Sequence, residues 1–127
     1  MSKILIVEDD KDLNAAYKVI LKKAGHTVES ALNGKIALSL AAKFEPELIL
    51  LDLLMPVMGG LEFLQTYDLD LHSGVKVLIF TNMENSPEVT EAYNLGATRC
   101  IIKSWTAPQN LTKIVDDVLS RRTKAVK

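Results

Sequence analysis

With a single cysteine, Cys100, among its 127 residues, the chain can form neither an internal disulfide nor a cysteine-rich zinc site. It has no apolar run approaching the roughly 20 residues needed to span a bilayer. Three acids follow Val7 and interrupt the first apolar segment, which argues against a secretory signal; a cytoplasmic location is expected. There is almost no charge excess either. Fifteen basic against sixteen acidic residues leave a net charge of −1, so no global attraction to nucleic acid or membrane arises, and neither is expected as a direct partner. In a cytosolic protein the Asn110-Leu111-Thr112 sequon carries no weight. Internal repeats are lacking as well.

What is present is an ordinary globular composition, 48% apolar and 24% charged, in a length that suits one domain with a real core. Ile4-Leu5-Ile6-Val7, Leu48-Ile49-Leu50-Leu51 and the segment 75–80 read as strands buried on both faces, the mark of a parallel sheet covered by helices. Segment 27–30 is polar enough for an edge strand, and 99–102 forms the last strand. Between them, Leu13, Ala16, Tyr17, Ile20, Leu21 and Ala24 keep a helical spacing that Gly25 ends. Further helices are expected over 36–44, from Gly59-Gly60 through Leu64, after the Ser86-Pro87 cap, and from Pro108 through Leu119. Alternation of this kind predicts an α/β fold, a doubly wound (βα)5 flavodoxin-like sandwich around a central five-stranded parallel sheet.

Charge then falls at telling places. Glu8-Asp9-Asp10 follows the first strand, Asp52 the second buried strand, and Lys103 the last; Thr81 ends the strand before it. Open α/β sheets bind ligands at the carboxyl ends of their strands. Carboxylates from two strands and an ammonium from a third should therefore converge on one pocket suited to a divalent cation and a phosphoryl group. Clustered carboxylates repel unless a cation compensates them. Oxygen ligands in an open, watery site favour Mg²⁺. Asp10 has a simpler role available, as helix N-cap. Asp10-x-Asp12-x-Asn14 resembles the start of a calcium loop, but Ala15 stands where that loop needs glycine and Leu21 where it needs glutamate.

Taken together, Glu8-Asp9 after Ile-Val, Asp52 with Met55-Pro56-x-Met58-x-Gly60, Thr81 and Lys103 resemble the receiver domain of two-component response regulators. Asn33-Gly34 and Leu95-Gly96-Ala97 fit the same pattern. The resemblance covers residues 2–122 and leaves 123–127 as a disordered tail or linker. It implies that Asp52 accepts a phosphoryl group from a histidine kinase or phosphotransfer protein. It also implies that Glu8, Asp9, Asp52 and the backbone carbonyl of Leu54 hold Mg²⁺, and that Thr81 and Lys103 contact the phosphoryl oxygens. The output would be a switched surface for a downstream protein, on a monomer or a weak phosphorylation-dependent dimer, rather than an enzymatic product. Three positions depart from the family pattern: Asn82 replaces a very small residue, Cys100 an aromatic switch residue, and Ser104, followed by Trp105, a proline. The signal is therefore expected to travel through Thr81 and the loop 82–87. Two other functions compete: an interaction module independent of phosphorylation, and a metal-dependent phosphatase with an aspartyl nucleophile on the first strand.

Overall fold

The computed structural model describes residues 2–55, 57–72, 74–82, 86–103 and 106–120. Five strands form one parallel sheet: β1 (Lys3–Val7), β2 (Thr27–Ala31), β3 (Leu48–Leu51), β4 (Lys76–Thr81) and β5 (Arg99–Ile102). Their order is β2-β1-β3-β4-β5. Five α-helices connect and cover them: α1 (Lys11–Lys23), α2 (Gly34–Phe44), α3 (Gly60–Tyr67), α4 (Pro87–Asn94) and α5 (Leu111–Ser120). The doubly wound fold read from the alternation of elements is the one observed.

Each strand divides its side chains between two cores because successive residues point to opposite faces. Leu5, Val7, Ile49, Leu51, Val77 and Ile79 pack with Ala37, Ala41, Phe63, Leu64 and Ala92 from α2, α3 and α4. Ile4, Ile6, Leu48, Leu50, Leu78 and Phe80 pack with Tyr17 and Leu21 of α1 and with Leu111, Val115 and Val118 of α5. Near-continuous apolar strands are what two covered faces require.

Local chemistry sets the helix ends. Asp10 caps α1 by accepting from the Asp12 and Leu13 amides, as the sequence suggested. Asn33 does the same for α2 through the Ile36 amide, and Ser86 for α4 through the Val89 amide, with Pro87 at its first position. Several boundaries differ from expectation by a residue or more. β4 runs one residue further, because Thr81 still pairs in register with Ile102. Pro108 opens a 3-10 turn over Pro108–Asn110, and α5 begins only at Leu111. A second 3-10 turn, Leu69–Leu71, lies between α3 and β4. Pro56, Ser104, Trp105, the middle of the 82–87 loop and the tail from 121 lie outside the described residues.

Candidate functional site

The strand order reverses between β1 and β3, since the chain leaves β1 for one side of the sheet and later returns to the other. A crevice opens at the carboxyl ends of such a pair. Glu8 and Asp9 leave β1 there, and Asp52 leaves β3 beside them, its amide donating to the Val7 carbonyl at 3.0 Å. Oxygen atoms of Glu8, Asp9 and Asp52 all lie within 4.8 Å of one another. Glu8 and Asp52 are buried, at 3% and 6% exposure, while Asp9 is open to solvent.

Lys103 reaches this cluster from the end of β5. Its Nζ lies 2.6 Å from Glu8 Oε1 and 2.9 Å from Asp52 Oδ2. Asp52 Oδ1 accepts from the Leu54 amide at 3.3 Å, and Glu8 Oε2 from the Asp10 amide at 3.0 Å. Burial pushes the Glu8 carboxyl above its ordinary value; the bond from Lys103, the Asp10 amide and the Lys103 charge oppose that shift, and the Asp52 charge adds to it. Burial also disfavours the Lys103 ammonium, but its bonds to Glu8 and Asp52 and their charges outweigh it, so Lys103 is held above the usual lysine range. Thr81 is fully buried at the end of β4, between the strands that carry Asp52 and Lys103.

Among these groups three carboxylates face one ammonium, leaving two formal negative charges. All the acidic ligand atoms are hard oxygens, and one acid is exposed, so room for metal-bound water remains. One divalent cation of the Mg²⁺ type fits that donor set and that charge.

Backbone contacts hold the rim in place. The Gly60 amide donates to the Leu53 carbonyl at 3.0 Å, and a Cβ at Gly60 would lie 2.5 Å from the Asp52 carbonyl oxygen, so the start of α3 is pressed on the Asp52 strand end. The Gly34 amide donates to the Met58 carbonyl at 3.1 Å, tying the start of α2 to the same loop. Val57 in that loop has φ 69°, a left-handed conformation that a β-branched residue rarely adopts.

Two contributions escaped sequence reasoning. Asn14 is 5% exposed on the inner face of α1, where its amide donates to the carbonyls of Glu8 and Ala31 at 3.0 and 3.1 Å. The signal was available: a polar residue shares a helical stripe with Tyr17 and Leu21. Tyr93 of α4 is the second. Its hydroxyl accepts from the Cys100 amide at 2.8 Å, so a ring from the neighbouring helix engages β5 where the strand itself carries a thiol. Cys100 packs against the cluster under α2, α3 and α4, and burial raises its thiol pKa, as befits a filler.

The parallel sheet is wound so that an acid crevice lies at its switch point, with a lysine bridging two of the acids. The response regulator receiver domain family model matches residues 4–116, and the chain belongs to that family. It is 33% identical to the CcdB protein of Bacillus subtilis (strain 168), over 93% of this chain and 95% of that one. It is 30% identical to sporulation initiation phosphotransferase F of the same organism, over 91% and 90%. The solved chemotaxis protein CheY4 of Vibrio cholerae superposes with TM-score 0.83 at 33% identity, covering 93% of this chain and 98% of that one. Other curated relatives are longer; the chain spans 50% of the probable transcriptional regulator ycf27 of Porphyridium aerugineum. As a receiver domain of two-component response regulators, the protein is a signalling domain. None of the described helices is long and apolar enough to cross a membrane.

Proposed function

We propose that the chain, over residues 2–122, is a phosphoaccepting receiver in which Asp52 takes a phosphoryl group from the phosphohistidine of a histidine kinase or phosphotransfer protein in the cytoplasm. The observation that carries this reading is the Lys103 ammonium, shared between Asp52 and Glu8 at the switch-point crevice. An oxygen of Asp52 attacks phosphorus, an O–P bond forms, the P–N bond breaks, and the imidazole leaves with the electron pair. Phosphoryl transfer needs little covalent help beyond the nucleophile, so positioning and charge neutralisation dominate.

Glu8, Asp9, Asp52 and the Leu54 carbonyl are the residues assigned to Mg²⁺, which when bound neutralises charge on the phosphoryl oxygens. Lys103 stays on Asp52 and meets the transferred group as charge grows on it. The hydroxyl of Thr81, one strand away, donates to a phosphoryl oxygen, and its movement alters the surface that a downstream protein reads. A monomer, or a weak dimer formed on phosphorylation, suits this role.

Intact-mass measurement after treatment with acetyl phosphate and Mg²⁺ tests the reading. One labile phosphoryl adduct is expected in wild type and none in Asp52→Asn. Asp9→Ala should weaken Mg²⁺ binding by on the order of tenfold or more. An adduct that persists in Asp52→Asn overturns the assignment; no adduct in wild type leaves a phosphorylation-independent interaction module.

A further inference from the structure

Asn14 is a costly choice for its position. Its side chain is nearly buried on the face of α1 that otherwise carries Tyr17 and Leu21 into the core. A buried amide must recover its lost hydration through hydrogen bonds, and an apolar side chain of similar size does that packing job without the requirement. Both amide hydrogens find acceptors, one on the Glu8 carbonyl and one on the Ala31 carbonyl. Since both partners can only accept, the orientation of the amide is settled by chemistry.

The Glu8 carbonyl belongs to the peptide unit that joins Glu8 to Asp9. A planar peptide leaves two soft torsions to decide where the Asp9 side chain points, one on either side of that unit. Pinning the carbonyl sets the first of them, ψ of Glu8, and with it the plane from which Asp9 leaves. The Glu8 amide is already bound to Ala31, and the Val7 carbonyl to the Asp52 amide. The bond from Asn14 thus adds a tie from α1 to the Glu8 carbonyl itself, beyond the sheet ladder.

We propose that Asn14 is a positioning residue, holding the Glu8–Asp9 peptide so that both carboxylates face Asp52. It touches neither cation nor phosphoryl group and acts through the backbone. The inference rests on the metal-binding reading above but has a consequence independent of it. Without Asn14 the turn loosens, and the Asp10 amide loses its regular hold on Glu8 Oε2.

The experiment compares wild type with Asn14→Leu by amide NMR. Mg²⁺ is titrated while the Glu8 and Asp9 amides are followed, and amide hydrogen exchange is measured without metal. Expected are Mg²⁺ affinity lower by on the order of 10-fold, and faster exchange at Asp10 with little change at Val77 in the sheet. Should Asn14→Leu not fold, Asn14→Gln keeps the amide but displaces it by one methylene, and a smaller shift in the same direction is expected. Wild-type affinity together with unchanged Asp10 exchange overturns the proposal. So does exchange that accelerates equally at every amide, which marks Asn14 as merely structural. If wild type itself ignores Mg²⁺, the metal reading fails, and the Asp10 exchange still decides the role of Asn14.

Discussion

The two ends of the sheet are closed by different means. At the amino end the backbone links Thr27 to Ser2, Glu47 to Lys3, Lys76 to Glu47 and Thr98 to Val77, at 2.8 to 3.0 Å, are joined only by side chains that are exposed or half-buried, such as Glu47 on the Lys3 amide and Thr98 on the Val77 amide. At the carboxyl end the ladder gives way to side chains. All the buried polar and charged residues among those described, Glu8, Asn14, Asp52 and Thr81, lie there. One end is built for stability, and the other spends some of it on charge brought close together, as functional sites commonly do.

Glycine substitutions probe that contrast most severely. A Cβ at Gly60 meets the Asp52 carbonyl oxygen at 2.5 Å and Leu53 Cα at 2.8 Å, both backbone atoms that cannot swing aside. Gly60→Ala should cost about 3 kcal/mol or more in urea unfolding. At the amino end Gly74 has nothing within 4 Å, so Gly74→Ala should be neutral or stabilising by about 0.5 kcal/mol. Equal losses at the two positions break the comparison.

Charge crowding gives the next effect. Asp52→Asn keeps the shape while removing one of three clustered carboxylates. Without Mg²⁺ its urea midpoint should rise, by about 1 kcal/mol of stability. A lower midpoint than wild type means that the pairing of Asp52 with Lys103 outweighs the repulsion.

The pH dependence sharpens the same point. The Glu8 carboxyl is raised above 4.5 in the folded state, so its contribution to stability is fully present below pH 4.5 and is lost as pH rises through the folded value. Metal-free wild type should therefore lose part of its stability between pH 4.5 and neutrality, and Glu8→Gln should flatten that portion of the curve. Identical curves for the two proteins contradict the electrostatic account.

The smallest effect concerns the β5 edge. Tyr93→Phe removes the acceptor of the Cys100 amide on a partly exposed strand, where water can replace it. A loss of less than about 1 kcal/mol is expected, with faster exchange confined to the Cys100 amide.

Much of this was legible beforehand, for identifiable reasons. Strands covered on both faces must be apolar throughout, so 4–7 and 48–51 announced themselves, and Asp10 and Ser86 marked helix starts by local bonds. Acids at strand ends could be assigned to one edge because parallel strands all finish there. The start of α5 was misplaced because a proline at the first position suits a 3-10 turn as well as an α-helix.

By itself the sequence determined the fold class and the acids and lysine of the crevice, because periodicity and strand-end placement are properties of the chain alone. Only the tertiary structure decided that Lys103 bridges Glu8 and Asp52, that Asn14 holds the Glu8 carbonyl, and that Tyr93 engages the Cys100 amide. The bonds of Lys103 to Asp52 and of Asn14 to Ala31 join groups distant in sequence, while those of Asn14 to Glu8 and Tyr93 to Cys100 join a helix to the adjoining strand across a turn. Such bonds depend on where packing sets whole elements, a relation that no local spacing of residues encodes.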